Sequence, residues 1–183
     1  MQKRIKELNA QWREEGQTQI KSRMGINTAD VVVGNVGGSQ RFDYTVMGDG
    51  VNLASRLEGA NKEYGSLIMI SDSTHEVVQK EYYTRELDYL VVKGKTKPIK
   101  VYELLGFINE PLDPIVQDAI EKYLKGIEFY RKQEFDAAIG EFQKAIAINP
   151  EEYPSSVYIK RCGLLKSAPP DPDWDGVFHM TTK

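Results

Sequence analysis

The stretch from residue 41 to residue 61, RFDYTVMGDGVNLASRLEGAN, constrains the fold more than any other part of the chain. Aromatic and β-branched side chains alternate with others up to Met47, which predicts a β-strand. A glycine then breaks the strand, and apolar side chains recur at helical spacing from Leu53 to Tyr64. We therefore expect a helix with one buried face. The Asp49 carboxylate is placed to cap this helix by accepting a backbone N–H of the first turn.

Three polar side chains of this stretch are predicted to share one site. Asn52 and Arg56 are four residues apart, so they lie one above the other on the helix. Thr45 stands near the end of the preceding strand, so a hydroxyl can meet the amide and the guanidinium. In the alternative interpretation, Asn52 caps its own helix, Arg56 pairs with Glu58 or Glu63, and the threonine merely suits a strand.

The same stretch resembles a known family. Three segments, RMGINTADVVVGNVG, YTVMGDGVNLASRLEGAN and VKGKTKPIKVYELLG, are similar in order and spacing to the catalytic domain of class III nucleotidyl cyclases. The resemblance covers residues 23–106. It implies an α+β domain with part of a ferredoxin-like cyclase core. It also implies an enzyme that converts ATP to cyclic AMP and pyrophosphate, with a guanylate cyclase as the alternative.

The resemblance assigns a role to four residues. Arg56 matches the arginine that contacts the α-phosphoryl group in the transition state, and Asn52 matches the asparagine that orients the ribose. Thr45 matches the position that reads the purine edge, where one bacterial subgroup has threonine, whose hydroxyl donates and accepts. Lys93 matches the lysine that holds the triphosphate. It belongs to a cluster of four lysines ending at Lys100, and most such clusters are solvated surface.

The resemblance also indicates what lies outside this sequence. The family's two metal-binding aspartates precede the helix that begins here at Met1, so we expect the cofactor, Mg²⁺ or Mn²⁺, to find no ligands in this chain. Asp49 is interpreted as a cap, and His75 and His179 lack zinc-ligand spacing. Active sites of the family form between two subunits, which implies a homodimer in the parent enzyme. We therefore expect the isolated chain to be inactive or nearly so.

The chain as a whole predicts an α+β part followed by helices. Before the central stretch we expect a helix over 1–15 and a mostly buried strand over 21–34, kinked near 28–30. After it, the pattern predicts strands over 67–70, 82–92 and 99–105, with a helix over 71–79 capped by Ser71. We divide the chain into a partial cyclase domain (1–108), a linker (109–114), a helical extension (115–168) and an irregular tail (169–183).

The extension resembles one tetratricopeptide repeat. Small and aromatic residues occupy the repeat's positions at Gly126, Phe129, Ala138, Phe142, Ala145 and Pro150. This pattern predicts helices over 120–131 and 135–148, with a third over 155–166. Because one repeat cannot bury its faces alone, we expect it to pack on the third helix or the preceding domain. The tail residues Trp174, Val177 and Phe178 are candidates to dock on a surface. A second interpretation makes the chain a non-catalytic interaction module with a protein partner.

Composition narrows the partners and the compartment. The net charge of -3 gives no basic footprint, so we expect no nucleic-acid partner. The single cysteine, Cys162, fits a reducing compartment, and the charged first segment does not suit a secretory signal. We therefore expect a cytoplasmic location, with the cyclase domain in the cytoplasm even where the parent is membrane-anchored.

Overall fold

The computed structural model describes residues 1–38, 41–91, 98–171 and 173–177. Its architecture confirms the predicted α+β class with a helical C-terminal part. In chain order the elements are α1 (Gln2–Glu14), β1 (Met24–Ile26), β2 (Val32–Gly38), β3 (Arg41–Met47), α2 (Asp49–Tyr64), β4 (Ile68–Ser71), α3 (Asp72–Val78), β5 (Tyr82–Leu90), β6 (Ile99–Phe107), α4 (Pro114–Arg131), α5 (Phe135–Ile148) and α6 (Tyr153–Ser167).

Four strands form the main sheet in the order β1-β4-β6-β5. Strand β1 runs parallel to β4, with Gly25 opposite Met69, whereas β4 and β5 both run antiparallel to β6. The pairing of β5 with β6 shifts register between Glu86 and Asp88. The three-residue strand β1 lies at one edge of this sheet, and β5 lies at the other.

Strands β2 and β3 form a separate antiparallel ribbon. The predicted buried strand over 21–34 is therefore wrong. A loop at the expected kink divides it into β1 and β2, and β2 leaves the main sheet. Val32 is 68% exposed and Tyr44 is 76% exposed, because neither face of the ribbon has a covering layer among the described residues.

Helices cover both faces of the main sheet. Leu53 and Leu57 of α2 pack in one core cluster with Met69, Leu87 and Val101 of the strands. On the other face, the His75 ring of α3 stacks on Tyr102 of β6, with ring centroids 3.9 Å apart. Neighbouring residues of a strand point to opposite faces, so α2 and α3 lie on opposite sides.

The C-terminal helices build a second core. Helix α4 begins six residues earlier than predicted, at Pro114, because the Asp113 side chain accepts the backbone N–H of Ile115. Helix α5 has the predicted bounds. The aromatic rings of this core belong to Tyr123, Tyr130, Phe135, Phe142 and Tyr158, and the Trp174 ring of the tail packs against it. No helix among the described residues is long and apolar enough to cross a membrane.

Candidate functional site

Two glycines set the ends of α2, the helix that carries Asn52 and Arg56. Gly48 is the N-cap residue, with φ at 146°, a conformation that side-chain-bearing residues rarely adopt. Gly65 ends the helix in the left-handed conformation, and its N–H bonds to the Asn61 carbonyl oxygen. The predicted cap by Asp49 is wrong. That residue is already the first of the helix, and the N-cap position holds a glycine that has no side chain to bond.

A third glycine lets α2 lie directly on the sheet. A Cβ atom on Gly25 would stand 2.0 Å from the Ala54 carbonyl oxygen and 2.3 Å from the Glu58 backbone nitrogen. The backbones of β1 and α2 are therefore in contact at this point. Asn61 reinforces the contact, since its side-chain amide donates to the Met24 carbonyl oxygen at 2.9 Å. The position of α2 on the sheet is fixed from β1.

The candidate side chains point away from the core. Leu53 and Leu57 are buried, and Asn52 and Arg56, each one residue earlier, are exposed. The predicted pairing on one helix face therefore agrees with the helix geometry. Thr45 is exposed on the ribbon, where it pairs with Gly34. The described contacts do not join Thr45 to the two helix residues, so their shared site stays a prediction.

Lys93 lies outside the described residues, together with most of the basic cluster. Lys100 is described, and its ammonium group pairs with Glu86 at 3.2 Å and lies 5.4 Å from the centre of the Tyr89 ring. Lys100 thus stabilises the sheet. His75 likewise has a structural role, because it hydrogen-bonds to Thr84 at 3.0 Å while stacking on a tyrosine.

A cleft of about 660 Å³ lies beside the N-terminal end of α2. Most of its lining comes from the loop after β1 and from the first turns of α2 and α3, and Ser71 of β4 and Ile99 of β6 complete it. The side chain of Asn27 donates to the Gly50 carbonyl oxygen at 3.1 Å, and Ser73 donates to the Thr28 carbonyl oxygen at 2.8 Å. These bonds hold the loop between the two helices. The sequence offered a signal for this cleft, namely polar residues that follow strands, but we did not predict it.

The cleft is acidic and differs from the predicted nucleotide site. Its lining includes the carboxylates of Asp30, Asp49, Asp72 and Glu76. Like charges repel, so this lining disfavours a triphosphate. Neither Thr45 nor Asn52 nor Arg56 contributes to it. Thr45 on the ribbon and Asn52 and Arg56 on α2 are exposed and lie outside this cleft.

The described residues do not fit a resident metal site. No group of three or more His, Cys, Asp and Glu side chains among them is placed to hold a metal ion. A two-metal phosphoryl-transfer site requires several carboxylates around ions about 3.5–4 Å apart. We derive no step through a metal from this part of the chain.

A buried polar network joins the main sheet to the C-terminal helices, and the sequence did not predict it. Arg161 of α6 donates to Asp88 of β5 at 2.5 Å and to the Tyr64 hydroxyl of α2 at 2.8 Å. Tyr64 in turn donates to Asp88. Burial, followed by the nearby Asp88 carboxylate, raises the pKa of Tyr64 well above its ordinary value, so its hydroxyl stays protonated. The network connects three elements around one carboxylate.

A second buried ion cluster lies at the same junction. Arg85 of β5 binds both oxygens of Glu152, at 2.6 and 2.7 Å, and also pairs with Glu103 of β6 at 2.7 Å. The hydroxyls of Tyr123 and Tyr158 donate to the Leu87 carbonyl oxygen at 3.0 and 2.7 Å. In the sequence alone, charged residues within a strand suggest that their side chains are exposed to solvent. Only the packing of α4 and α6 makes these residues internal.

Sequence comparison identifies the family. Residues 1–106 match the profile of the adenylate and guanylate cyclase catalytic domain. A terminal-differentiation-specific adenylate cyclase of Dictyostelium discoideum is 34% identical over 146 residues, which are 78% of this chain and 7% of that protein. That match extends beyond the first 106 residues. Adenylate cyclase 1 of Rhizobium meliloti is 36% identical over 109 residues, 60% of this chain and 16% of that protein.

The chain thus spans less than a fifth of the length of these two relatives. Among solved structures, the adenylyl cyclase CyaB from P. aeruginosa is 39% identical and covers 56% of this chain and 52% of its own, with a TM-score of 0.49. The family profile matches more than half of the chain and contains all three motifs. The family predicted from those motifs is confirmed, and the chain belongs to the adenylate and guanylate cyclase catalytic domain family.

Proposed function

We propose that this chain is the substrate-binding part of a class III adenylate cyclase, which converts ATP to cyclic AMP and pyrophosphate. The observation that supports this most is the arrangement of α2. Its buried leucines and its contact with Gly25 fix the helix, while Asn52 and Arg56 face outward one turn apart. A fixed helix with outward-facing polar side chains suits a reaction that depends on positioning and charge stabilisation.

In this proposal four residues take the roles that the family assigns to their positions, and each contacts a different part of one nucleotide. Arg56 stabilises negative charge on the α-phosphoryl oxygens, for which a planar and permanently charged donor is suited. Asn52 orients the ribose so that its 3′-oxygen faces the α-phosphorus. Thr45 contacts the purine edge, and Lys93 holds the leaving pyrophosphate. ATP is favoured over GTP because threonine occurs at this position in a subgroup of adenylate cyclases.

We further propose that the metal ions and the second subunit complete the site. The two metal-binding aspartates of the family would come from a segment outside this sequence, with Mg²⁺ or Mn²⁺. The exposed ribbon supports association, since Val32 and Tyr44 would leave water when a partner covers them. Isolated two-stranded ribbons are marginally stable, which gives the same surface a second reason to pair.

Two assays test the proposal. The purified chain with Mn²⁺ and ATP should form little or no cyclic AMP. Adding a separately expressed segment that carries the two aspartates should restore formation, and Arg56→Ala or Asn52→Ala should abolish it. Lys62→Ala is the matched control, because Lys62 is an exposed basic residue on the same helix. Turnover by the chain alone, comparable with that of an intact cyclase, would refute the need for a complement.

A second candidate function is a non-catalytic interaction module. The pair α4–α5 favours it, because Gly126 and Phe142, two positions of the tetratricopeptide pattern, lie in direct contact. In this case the complementing segment would bind without turnover, and Arg56→Ala would leave that binding unchanged. Comparing ATP with GTP in the reconstituted enzyme tests the choice of base.

A further inference from the structure

Helix α2 is held at two places along its buried face, and one of them is made by the C-terminal extension. Gly25 and Asn61 fix α2 to β1 near its middle and its last turn. The final residue of the helix, Tyr64, contacts α6. This inference rests on the proposed function only in so far as α2 carries Asn52 and Arg56. Its structural part concerns the helix alone.

The contact with α6 is fully buried and made of strong bonds. Tyr64, Asp88 and Arg161 are each less than 5% exposed. The guanidinium donates to the tyrosine hydroxyl and to the carboxylate, and the tyrosine donates to the same carboxylate. The other oxygen of Asp88 accepts the Tyr89 backbone N–H at 2.7 Å. Each polar group of the triad is therefore paired, and charge-assisted bonds of this kind are about twice as strong as neutral ones.

The extension is itself anchored to the sheet beside this triad. Glu152, which precedes α6, is buried and binds Arg85 through both carboxylate oxygens. The Tyr153 ring, next in sequence, lies against Gly65, where a Cβ atom would stand 2.8 Å from its Cγ. Helix α6 thus starts against the turn that ends α2 and, about two turns later, reaches Tyr64 through Arg161.

The distance along α2 from this contact to the candidate site is short. Tyr64 follows Arg56 by eight residues and Asn52 by twelve, so the distances along the helix axis are about 12 and 18 Å. An intact helix of 16 residues is stiff, so displacing its last turn tilts it about the contact with Gly25. A change in the last turn of α2 therefore alters the position of both outward-facing side chains.

We propose that Arg161 is a positioning residue, which fixes α2 through Tyr64 and Asp88 and so makes the C-terminal extension part of the nucleotide site's support. In this proposal the extension does more than follow the cyclase domain in sequence. A ligand or partner that shifts α6 would change the placement of Asn52 and Arg56.

Hydrogen exchange followed by mass spectrometry tests the proposal on the full chain. Arg161→Gln leaves Asp88 buried without its cation, and exchange at residues 57–64 should accelerate roughly 100-fold. Tyr64→Phe removes only a hydroxyl and should accelerate it about tenfold. Arg161→Lys keeps the charge and should restore most of the protection. Arg131→Gln is the control, because Arg131 joins α4 to Glu86 of β5 without touching α2.

The outcomes separate this inference from the proposed function. Faster exchange confined to α2 and its neighbours, with partial rescue by lysine, supports the positioning role. An unchanged α2 in Tyr64→Phe and Arg161→Gln overturns it, and so does an equal effect of Arg131→Gln. A fluorescent ATP analogue, titrated with Mn²⁺ into the same proteins mixed with the separately expressed complementing segment, should bind the wild type more tightly than Tyr64→Phe. If the analogue binds none of them while α2 responds, the proposed function fails and the positioning role stands.

Discussion

Replacing Gly25 by alanine tests whether the contact between β1 and α2 is as close as the structure indicates. The new Cβ atom would stand 2.0 Å from the Ala54 carbonyl oxygen, and the obstacle is backbone that no rotamer change can remove. Ordinary contacts begin near 3.4 Å, so α2 would have to retreat by about 1.4 Å. Overpacking costs about 1–3 kcal/mol where side chains give way. We expect about 3 kcal/mol or more here, which lowers the melting temperature by roughly 6–12 °C for a chain of this size.

The assay is urea unfolding followed by far-ultraviolet circular dichroism, with the free energy of unfolding taken from the midpoint and slope. Gly59→Ala is the matched control in α2 itself, since no atom lies within 4 Å of its Cβ position. That change should stabilise the helix by about 0.5–1 kcal/mol. If Gly25→Ala costs under about 0.5 kcal/mol, the backbone contact is wrong and α2 is not fixed from β1.

Three further predictions concern a glycine substitution, the reactivity of a thiol and the pH dependence of stability. Gly126→Ala places a Cβ atom 2.5 Å from the Phe142 ring and should cost about 1–3 kcal/mol in urea unfolding, whereas Gly140→Ala, with no neighbour within 4 Å, should cost nothing. Burial raises the pKa of the Cys162 thiol to about 12; we therefore expect at least about a thousandfold slower reaction with a disulfide reagent at pH 8 than for a free thiol, and rapid reaction would contradict its burial. Burial also raises the pKa of four core tyrosines well above 10, so they stay protonated in the folded state while the unfolded chain ionises. The part of the stability that depends on these tyrosines should then be constant well below pH 10 and fall above it by up to about 5 kcal/mol per pH unit, measured by urea unfolding at stepwise pH. These tyrosines are Tyr64, Tyr123, Tyr130 and Tyr158.

The bounds of α2 and β3 could be predicted because local chemistry decides them. A glycine stands at each end of α2, and alternation marks β3 from Arg41 to Met47 as a strand. The same local signal misled the prediction for Asp49, since a carboxylate after a glycine looks like a cap. The N-cap is the glycine itself, whose φ of 146° few other residues adopt.

The exposure of β2 outside the main sheet could not be predicted from the periodicity of its side chains. A run of three valines from Val31 suits a buried strand, and the burial of such a strand depends on partners elsewhere in the fold. Here the strand pairs only with β3, so its valines are exposed among the described residues. A hydrophobic pattern reports the tendency to be covered. It does not report what covers the strand.

The buried polar network could not be predicted either, because its partners are far apart in the sequence. Arg85 and Asp88 stand in a strand sequence, YYTRELDYL, whose charges suggest a solvent-facing edge. Their partners, Glu152 and Arg161, are more than sixty residues away. No local spacing links such pairs. Only the packing of α6 on the sheet brings them together.

These contacts show how the C-terminal helices support the sheet of the cyclase-family domain. Val157 of α6 packs against the cluster around Leu57 and Leu87, so the extension adds apolar cover to the α2 side of the sheet. Burying a charged pair gives little net stability, but breaking one partner costs about 3–5 kcal/mol. We therefore expect Arg161 and Arg85 to act mainly against alternative packings of α6. Because this side is closed by the chain itself, we expect a complementing segment to act at the free edge of β1 and at the exposed ribbon, and to leave the sheet's contacts with α6 unchanged.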